Sequence, residues 1–450
     1  MKRENIIILT LFMSLLMITV DCSKEEESDS VSSRNIVVLE QPSVTSFTAV
    51  LTGTFSGVDK IDINLGKKGV LYCIKSDESE NLFKTWQDGS DNPGCMMQDE
   101  FTLTGETMQC TLGGLSENTE YSYCMFLQKK NGSRYISSIS TFKTKSFNPE
   151  IKDVTLKSIQ CFVAFAEGEI LLGKRDAAYC EMGVVVSDRN NVTVENSSLF
   201  KYNGEYDMEF TLRLSGLEPN KDYYCRTYVK YPITQNQSGY LYGPEKAFNT
   251  KKFEDVAVDL GLPSGTLWAA YNIGAEKPEE YGDYFAWAEV EPKTTYNWST
   301  YKWRNSDKYN TDTTSTKVCS HQYIVLADDA ANYNWGGDWR MPSHIEQEEL
   351  MAYCDFFLDT LNGVRGRMIV SRINGNAIFT PFAGHMHEAT VVGAGQMWAV
   401  FSRDLFFADG PDWYWYWRNN EEDISKEDFE KKYIKGGRSD GLTVRAVYRQ

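Results

Sequence analysis

The run Trp413-Tyr414-Trp415-Tyr416-Trp417 is the most concentrated binding chemistry in this chain. Successive side chains on a strand point to opposite faces. Trp413, Trp415 and Trp417 would then share one face, and Tyr414 and Tyr416 the other. Either the run is a core strand buried on both faces, or one face is exposed. An exposed flat aromatic row is a platform for sugar rings or for a protein partner. Sugar is slightly favoured. A second candidate is His385-x-His387, which on a strand would turn both rings to one side and could share a metal with His321 or Glu388. With 4 His in the whole chain, the pair is read as surface imidazoles and no metal is assigned. The chain has no Gly-rich phosphate loop, no Gly-x-Ser-x-Gly elbow and no His-Glu-x-x-His. Acidic residues are so numerous that spacing singles out no glycosidase pair. No catalytic residue and no cofactor are assigned.

The elements that position these residues belong to a chain of 450 residues, enough for about three domains. Hydrophobic residues make up 42% and aromatics 13%, which excludes a largely disordered chain. A net charge of −17 leaves no basic face for phosphates and excludes the nucleic-acid-binding class.

Lys2 and Arg3 precede an apolar run from Ile6 to Val20, then Cys22. A basic start and a short apolar segment read as a secretory signal, residues 1–21. A cysteine at that place resembles a bacterial lipoprotein signal, which implies lipidation of Cys22. Ordinary secretion with a free Cys22 is the alternative. Residues 22–35 are acidic and Ser-rich and read as a solvated tether. Acidic residues directly after the cysteine resemble the surface-export signal of Bacteroidetes lipoproteins. The resemblance implies an outer-membrane, surface-exposed lipoprotein held through its N-terminal lipid, with a periplasm-facing or secreted protein as the alternative.

Two segments repeat about a hundred residues apart. Leu112-Gly113-Gly114-Leu115-Ser116-Glu117-Asn118-Thr119-Glu120-Tyr121 matches Leu214-Ser215-Gly216-Leu217-Glu218-Pro219-Asn220-Lys221-Asp222-Tyr223. Downstream, Phe142-Lys143-Thr144-Lys145 matches Phe248-Asn249-Thr250-Lys251. Alternating apolar residues between frequent turns read as antiparallel sandwiches. The pattern is similar to the turn into the sixth strand of fibronectin type III domains. It implies two all-β, immunoglobulin-like domains over 36–146 and 147–252, with Tyr121 and Tyr223 as tyrosine corners.

Ten cysteines are present, and nine remain if Cys22 is lipidated. Antibody domains carry their inter-sheet disulfide on the second strand and two residues after the corner tyrosine. That likeness implies a Cys161–Cys225 disulfide. Two buried thiols packing as small hydrophobes are the alternative.

Beyond Phe253 the composition shifts, and 10 of the 11 Trp lie there. In order come Asp259-Leu260-Gly261-Leu262-Pro263-Ser264-Gly265-Thr266-Leu267-Trp268, Tyr281-Gly282-Asp283-Tyr284-Phe285-Ala286-Trp287, Asp328-Asp329-Ala330-Ala331, Trp335-Gly336-Gly337-Asp338-Trp339-Arg340-Met341-Pro342-Ser343 and Gly441-Leu442-Thr443-Val444-Arg445-Ala446-Val447. This series resembles the Fibrobacter succinogenes major paralogous domain, of the formylglycine-generating-enzyme-like branch of the C-type lectin fold. It implies an α+β, C-type-lectin-like domain over 253–450. The enzyme branch uses two copper-binding cysteines near the end of the fold. Cys319 and Cys354 match neither, so no enzyme activity is expected.

Ser343-x-x-Glu346 is a capping box, and Ile345, Leu350, Cys354 and Phe357 follow at near-helical spacing. They predict the principal helix of this domain, running to about Leu358. Arg340, directly before the cap, is expected in a structural ion pair. Asp328 and Asp329 are expected to cap structure rather than to bind calcium. The whole sequence thus reads as a surface lipoprotein presenting a lectin-like domain on a two-domain stalk, with a glycan or a surface protein as partner. The alternative is a structural subunit or anchor of a surface assembly without a soluble ligand.

Overall fold

A computed structural model describes residues 37–55, 66–86, 94–129, 134–206, 208–234, 237–304, 306–309, 323–404 and 437–449. The protein is multidomain and rich in β-sheet, with several discrete sheets and a smaller helix-containing C-terminal region. It divides into two compact units. One holds Met1–Val44, Ala49–Leu112 and Thr119–Lys143; the other holds Thr45–Thr48, Gly113–Asn118 and Thr144–Gln450. No helix among the described residues is long and apolar enough to cross a membrane.

The first unit has two sheets. One orders β1 (Val37–Leu39), β3 (Thr48–Phe55), β7 (Thr107–Gly113) and β6 (Phe101–Thr104), with β2 (Ser43–Val44) also on β3. The other orders β10 (Ser140–Lys143), β8 (Glu120–Gln128), β4 (Lys67–Ile74) and β5 (Met96–Gln98), with β9 (Arg134–Ile136) on β8. Along β7, Met108, Cys110 and Leu112 are buried while Gln109 and Thr111 are exposed, the period-two pattern of a strand with one solvated face. β8 is buried from Tyr121 to Leu127, on both faces. Its second face is covered by the helix Ser79–Thr85 and by Trp86.

The second unit begins with two further sheets. One orders β11 (Glu150–Ile151), β13 (Val163–Leu171) and β12 (Thr155–Ile159), with β16 (Glu209–Ser215) on β13. The other orders β15 (Ser198–Lys201), β14 (Glu181–Ser187), β17 (Asp222–Thr234) and β18 (Gln237–Tyr242), with β19 (Lys246–Asn249) on β17. Val184, Val186, Leu214, Cys225 and Val229 lie in the shared core.

The sequence repeat is a repeat of bonds. Gly114 and Gly216 take φ of 68° and 79°, and Asn118 and Asn220 take 49° and 53°. Gly and Asn tolerate this left-handed region, which explains their fixed places in both copies. The hydroxyl of Thr144 donates to the Ser116 carbonyl at 2.7 Å, and that of Thr250 to the Glu218 carbonyl at 2.6 Å. The Asn118 amide donates to the Lys145 carbonyl at 3.1 Å, and the Asn220 amide to the Lys251 carbonyl at 3.0 Å. Tyr121 pairs with Phe142 across its ladder, as Tyr223 pairs with Phe248, and both ring pairs stack. The buried Tyr223 hydroxyl accepts from the Glu218 amide at 3.0 Å, the backbone tie of a tyrosine corner.

The disulfide expected between Cys161 and Cys225 is absent: both are buried free thiols. Cys225 lies in the sandwich core, but Cys161 sits in the bend between β12 and β13 and packs with Trp335 and Trp339. The second strand starts only at Val163, so the two sulfurs belong to different cores.

The C-terminal region uses shorter strands. β20 (Ala257–Val258), β21 (Leu267–Ala269), β30 (Val447–Tyr448) and β23 (Trp339–Arg340) form one sheet, and β22 (Tyr284–Phe285) pairs with β29 (Leu442–Thr443). A meander of β24 (Cys354–Leu361), β25 (Val364–Ser371) and β26 (Ala377–Pro381) and a hairpin of β27 (His385–His387) and β28 (Thr390–Val392) complete it. The helix predicted from Ser343 is present with its capping box, but it spans His344–Tyr353 and stops before Cys354. Cys354 and Phe357 belong to β24, which pairs with β25 from Cys354↔Ser371 to Leu361↔Val364. A continuous ladder of that length outweighs the weak helical spacing and leaves Phe357 exposed; Ile345, within the helix, is exposed as well.

Candidate functional site

Three buried polar residues hold the irregular C-terminal chain. Asp329 caps the helix Ala330–Trp335, accepting from the Ala331 amide at 2.9 Å and the Asn332 amide at 3.2 Å, and it also accepts from the Met341 amide at 2.9 Å. Complete burial pushes its carboxyl up to about 6, against the pull of these amides. Glu346 accepts from Arg340 Nη1 at 2.7 Å and Nη2 at 2.5 Å, and from the Ser343 amide at 2.9 Å. Burial raises its carboxyl, but the Arg340 guanidinium and the Ser343 amide outweigh that and hold it at about 2. Arg340 therefore occupies the structural ion pair expected of it. Arg445 is fully buried and donates to Asn272 Oδ1 at 2.9 Å and to the carbonyls of Ala269 at 3.0 Å and Phe379 at 2.8 Å. Burial lowers its guanidinium to about 9.

Apart from these anchors, Trp298, Ser299 and Thr300 form an exposed ledge. Most described Trp of the region are core: Trp268, Trp287, Trp335, Trp339 and Trp398 are all buried. Trp298 differs, being 49% exposed. Its ring lies 5.5 Å from that of the buried Tyr301, and the buried Arg438 guanidinium sits 5.9 Å from both rings. The loop carrying Trp298 is tied to the β27–β28 turn. Tyr296 and Glu388 exchange backbone hydrogen bonds at 2.8 Å each way. Asn297 Nδ2 donates to Glu388 Oε2 at 2.6 Å, and Asn297 Oδ1 accepts from the Ser299 hydroxyl at 2.6 Å and the Thr300 amide at 3.0 Å. Beside this turn, His387 Nδ1 meets Asp440 Oδ1 at 2.9 Å. The Asp440 hydrogen bond, and then its charge, raise the imidazole above its usual value. The result is a half-exposed indole on a loop that Asn297 and Glu388 tie to the β27–β28 turn. Sequence reasoning missed Trp298. The available signal was a tryptophan set among the turn formers Asn297, Ser299 and Thr300.

The aromatic row Trp413–Trp417, including Tyr414 and Tyr416, lies outside the described residues, as do Cys22, Cys319 and His321. The flanks of the segment that carries the row are described. Asp404 accepts from the His344 amide at 2.7 Å and meets the His344 ring at 2.9 Å. Arg438 Nη1 donates to the Tyr309 carbonyl. The chain thus leaves for the row from one anchored residue and returns to another, and the second anchor is the cation beneath Trp298.

Among the described residues no three His, Cys, Asp or Glu side chains converge as a metal site. His385 and His387 both lie on β27. Burial pushes the Cys354 thiol up to about 11, unlike the depressed value of a reactive thiolate. A cavity of about 480 Å³ opens among Lys157, Asn220, Asn249, Lys251, Asp255 and Glu276. Two of the lysines that line it are already engaged: Lys251 reaches Glu276 at 2.6 Å and Lys157 reaches Glu167 at 3.0 Å.

No family model matches the chain, and no curated protein matches it. Among solved structures, the sensor domain of the anti-sigma factor RsgI4 in Pseudobacteroides cellulosolvens is similar over 23% of this chain and 76% of its own, at 14% identity and a TM-score of 0.18. Chicken CNTN1 domains FN1–FN3 are similar over 48% of this chain and 67% of their own, at 12% identity and a TM-score of 0.21. Both are distant likenesses to parts of a multidomain β-sheet protein, and at that overlap they carry no argument about function.

Proposed function

We propose that this protein is a non-enzymatic surface lipoprotein that binds carbohydrate through its C-terminal region. In this reading Cys22 carries the lipid, residues 22–35 are the tether, and 36–146 and 147–252 are fibronectin-type III-like spacers. The region 253–450 is the C-type-lectin-like binding domain. The observation that carries the reading is Trp298, an indole half-exposed on a hydrogen-bonded loop in a region whose other described tryptophans are mostly core. Apolar sugar faces stack on exposed indoles, while amide and carboxylate groups of the kind offered by Asn297 and Glu388 bond their hydroxyls. The row Trp413–Trp417 is proposed as a second candidate surface for the same class of ligand.

A glycan array of the purified protein tests the ligand. Binding by wild type that is lost in a folded Trp298→Ala variant supports the ledge. Binding lost only when Trp413, Trp415 and Trp417 are changed to Ala moves the site to the row. No binding by folded wild type overturns the carbohydrate reading and favours protein adhesion or assembly. Protease shaving of intact cells tests the location: protection of the protein would sink surface exposure.

A further inference from the structure

The described cysteines are all free, yet three of them share one small core. Cys73 is on β4, Cys124 on β8, and Cys95 directly precedes β5. The register between β4 and β5 runs Val70↔Gln98, Leu71↔Met97, Tyr72↔Met96. One more step along it sets Cys73 opposite Cys95. Both side chains then face the layer formed by Leu82, Phe83 and Trp86, where both sulfurs pack. Residues directly opposite on antiparallel strands have Cα atoms about 4.5–5.5 Å apart, inside the range a disulfide spans. Cys124 shares the face but is opposite Leu71, which puts it diagonal to Cys73. Diagonal neighbours lie about 7–8 Å apart, beyond easy bridging. Cys110 is on β7, opposite Phe101 in the other sheet.

We infer that Cys73 and Cys95 are a disulfide site, linking β4 to the start of β5 and leaving Cys124 as a thiol. The bond forms by exchange with an external disulfide. The Cys95 thiolate attacks one sulfur of the oxidant and expels one thiolate, giving a mixed disulfide. The Cys73 thiolate then attacks the Cys95 sulfur and expels the second. The protein loses two thiol protons and two electrons, and the oxidant's disulfide becomes two thiols. Cys95 is the half-buried member and the natural point of entry, whereas Cys73 is buried and its thiol donates to the Ser79 hydroxyl at 3.4 Å. Burial, and then the neighbouring Cys73, push the Cys95 thiol up to about 11. A thiol raised in this way slows exchange in the folded protein. The site does not depend on the carbohydrate reading.

The test refolds the full chain from urea in glutathione disulfide, then alkylates and maps peptides without reduction. The expected result is a Cys73–Cys95 linked peptide with Cys124 alkylated. The oxidised protein should also melt at least about 4 °C above its reduced form, a difference absent in Cys95→Ala. Alkylation of both Cys73 and Cys95 in the refolded protein would overturn the inference, as would linkage of either one to Cys124. If Cys95→Ala fails to fold, peptide mapping of the wild type decides alone.

Discussion

The paired sheets of the two repeats and the C-terminal region solve one problem in different ways. Each must satisfy its backbone donors and acceptors while burying apolar side chains. The repeats do it with ladders: β4 pairs with β8 over Lys67–Ile74, and β14 with β17 over Glu181–Ser187. The C-terminal region has few ladders of that length outside its β24–β26 meander. It satisfies its loops with buried side chains: Asp329 bonds main chain 12 residues away and Arg445 176 residues away, while Glu346 bonds its own helix cap. A ladder spreads its stability over many small terms. A side-chain hub concentrates it on a few residues.

The comparison breaks most readily at Arg445. Changing Arg445 to Met should leave three buried acceptors without donors and cost about 4 kcal/mol in urea unfolding of the C-terminal transition. A cost under about 1 kcal/mol would show that the hub is not what holds this region. Glu346→Gln should cost about 3 kcal/mol near neutral pH. Its sign with pH follows from the direction of the shift. The folded carboxyl titrates at about 2, below the usual value of 4.5. Its contribution is present above about pH 4.5 and is lost as pH falls through about 2. The variant should therefore lose less stability than wild type across that acid window, and parallel acid-denaturation curves would refute the pairing energy. In the second repeat, Tyr223→Phe removes one hydrogen bond to the Glu218 amide and should cost only about 1 kcal/mol. A cost as large as that of Arg445→Met would erase the contrast between ladder and hub. The smallest effect belongs to Trp298→Ala, within about 0.5 kcal/mol of wild type because its ring is half solvated. A melting point lowered by many degrees would make Trp298 a structural residue and remove the basis of the ledge.

The repeats were legible because their signals are local. A glycine and an asparagine needing positive φ, a threonine hydroxyl reaching a fixed carbonyl and a tyrosine at the strand start all recur at matching positions in the two copies. The helix start was legible for the same reason, since Ser343 and Glu346 satisfy each other within one turn. Its end was not. The residues from Cys354 to Leu361 could continue the helix on spacing alone, and their strand state depends on β25, a partner that the local pattern does not name. The proposed pairing of Cys161 with Cys225 failed similarly. It placed Cys161 on a strand, whereas the bend after Ile159 turns that residue toward the core around Trp335.

The sequence by itself determined the number of repeats, their turn chemistry, the helix cap and an ion pair for Arg340, because each depends on residues a few positions apart or on a motif present twice. Tertiary structure decided which tryptophan is exposed, which cysteines face one another and where a buried arginine finds its acceptors. Those outcomes depend on contacts between segments far apart in the chain. Asn272 and Arg445, or Cys73 and Cys95, become neighbours only after strand register is set, and register is a property of the folded chain as a whole.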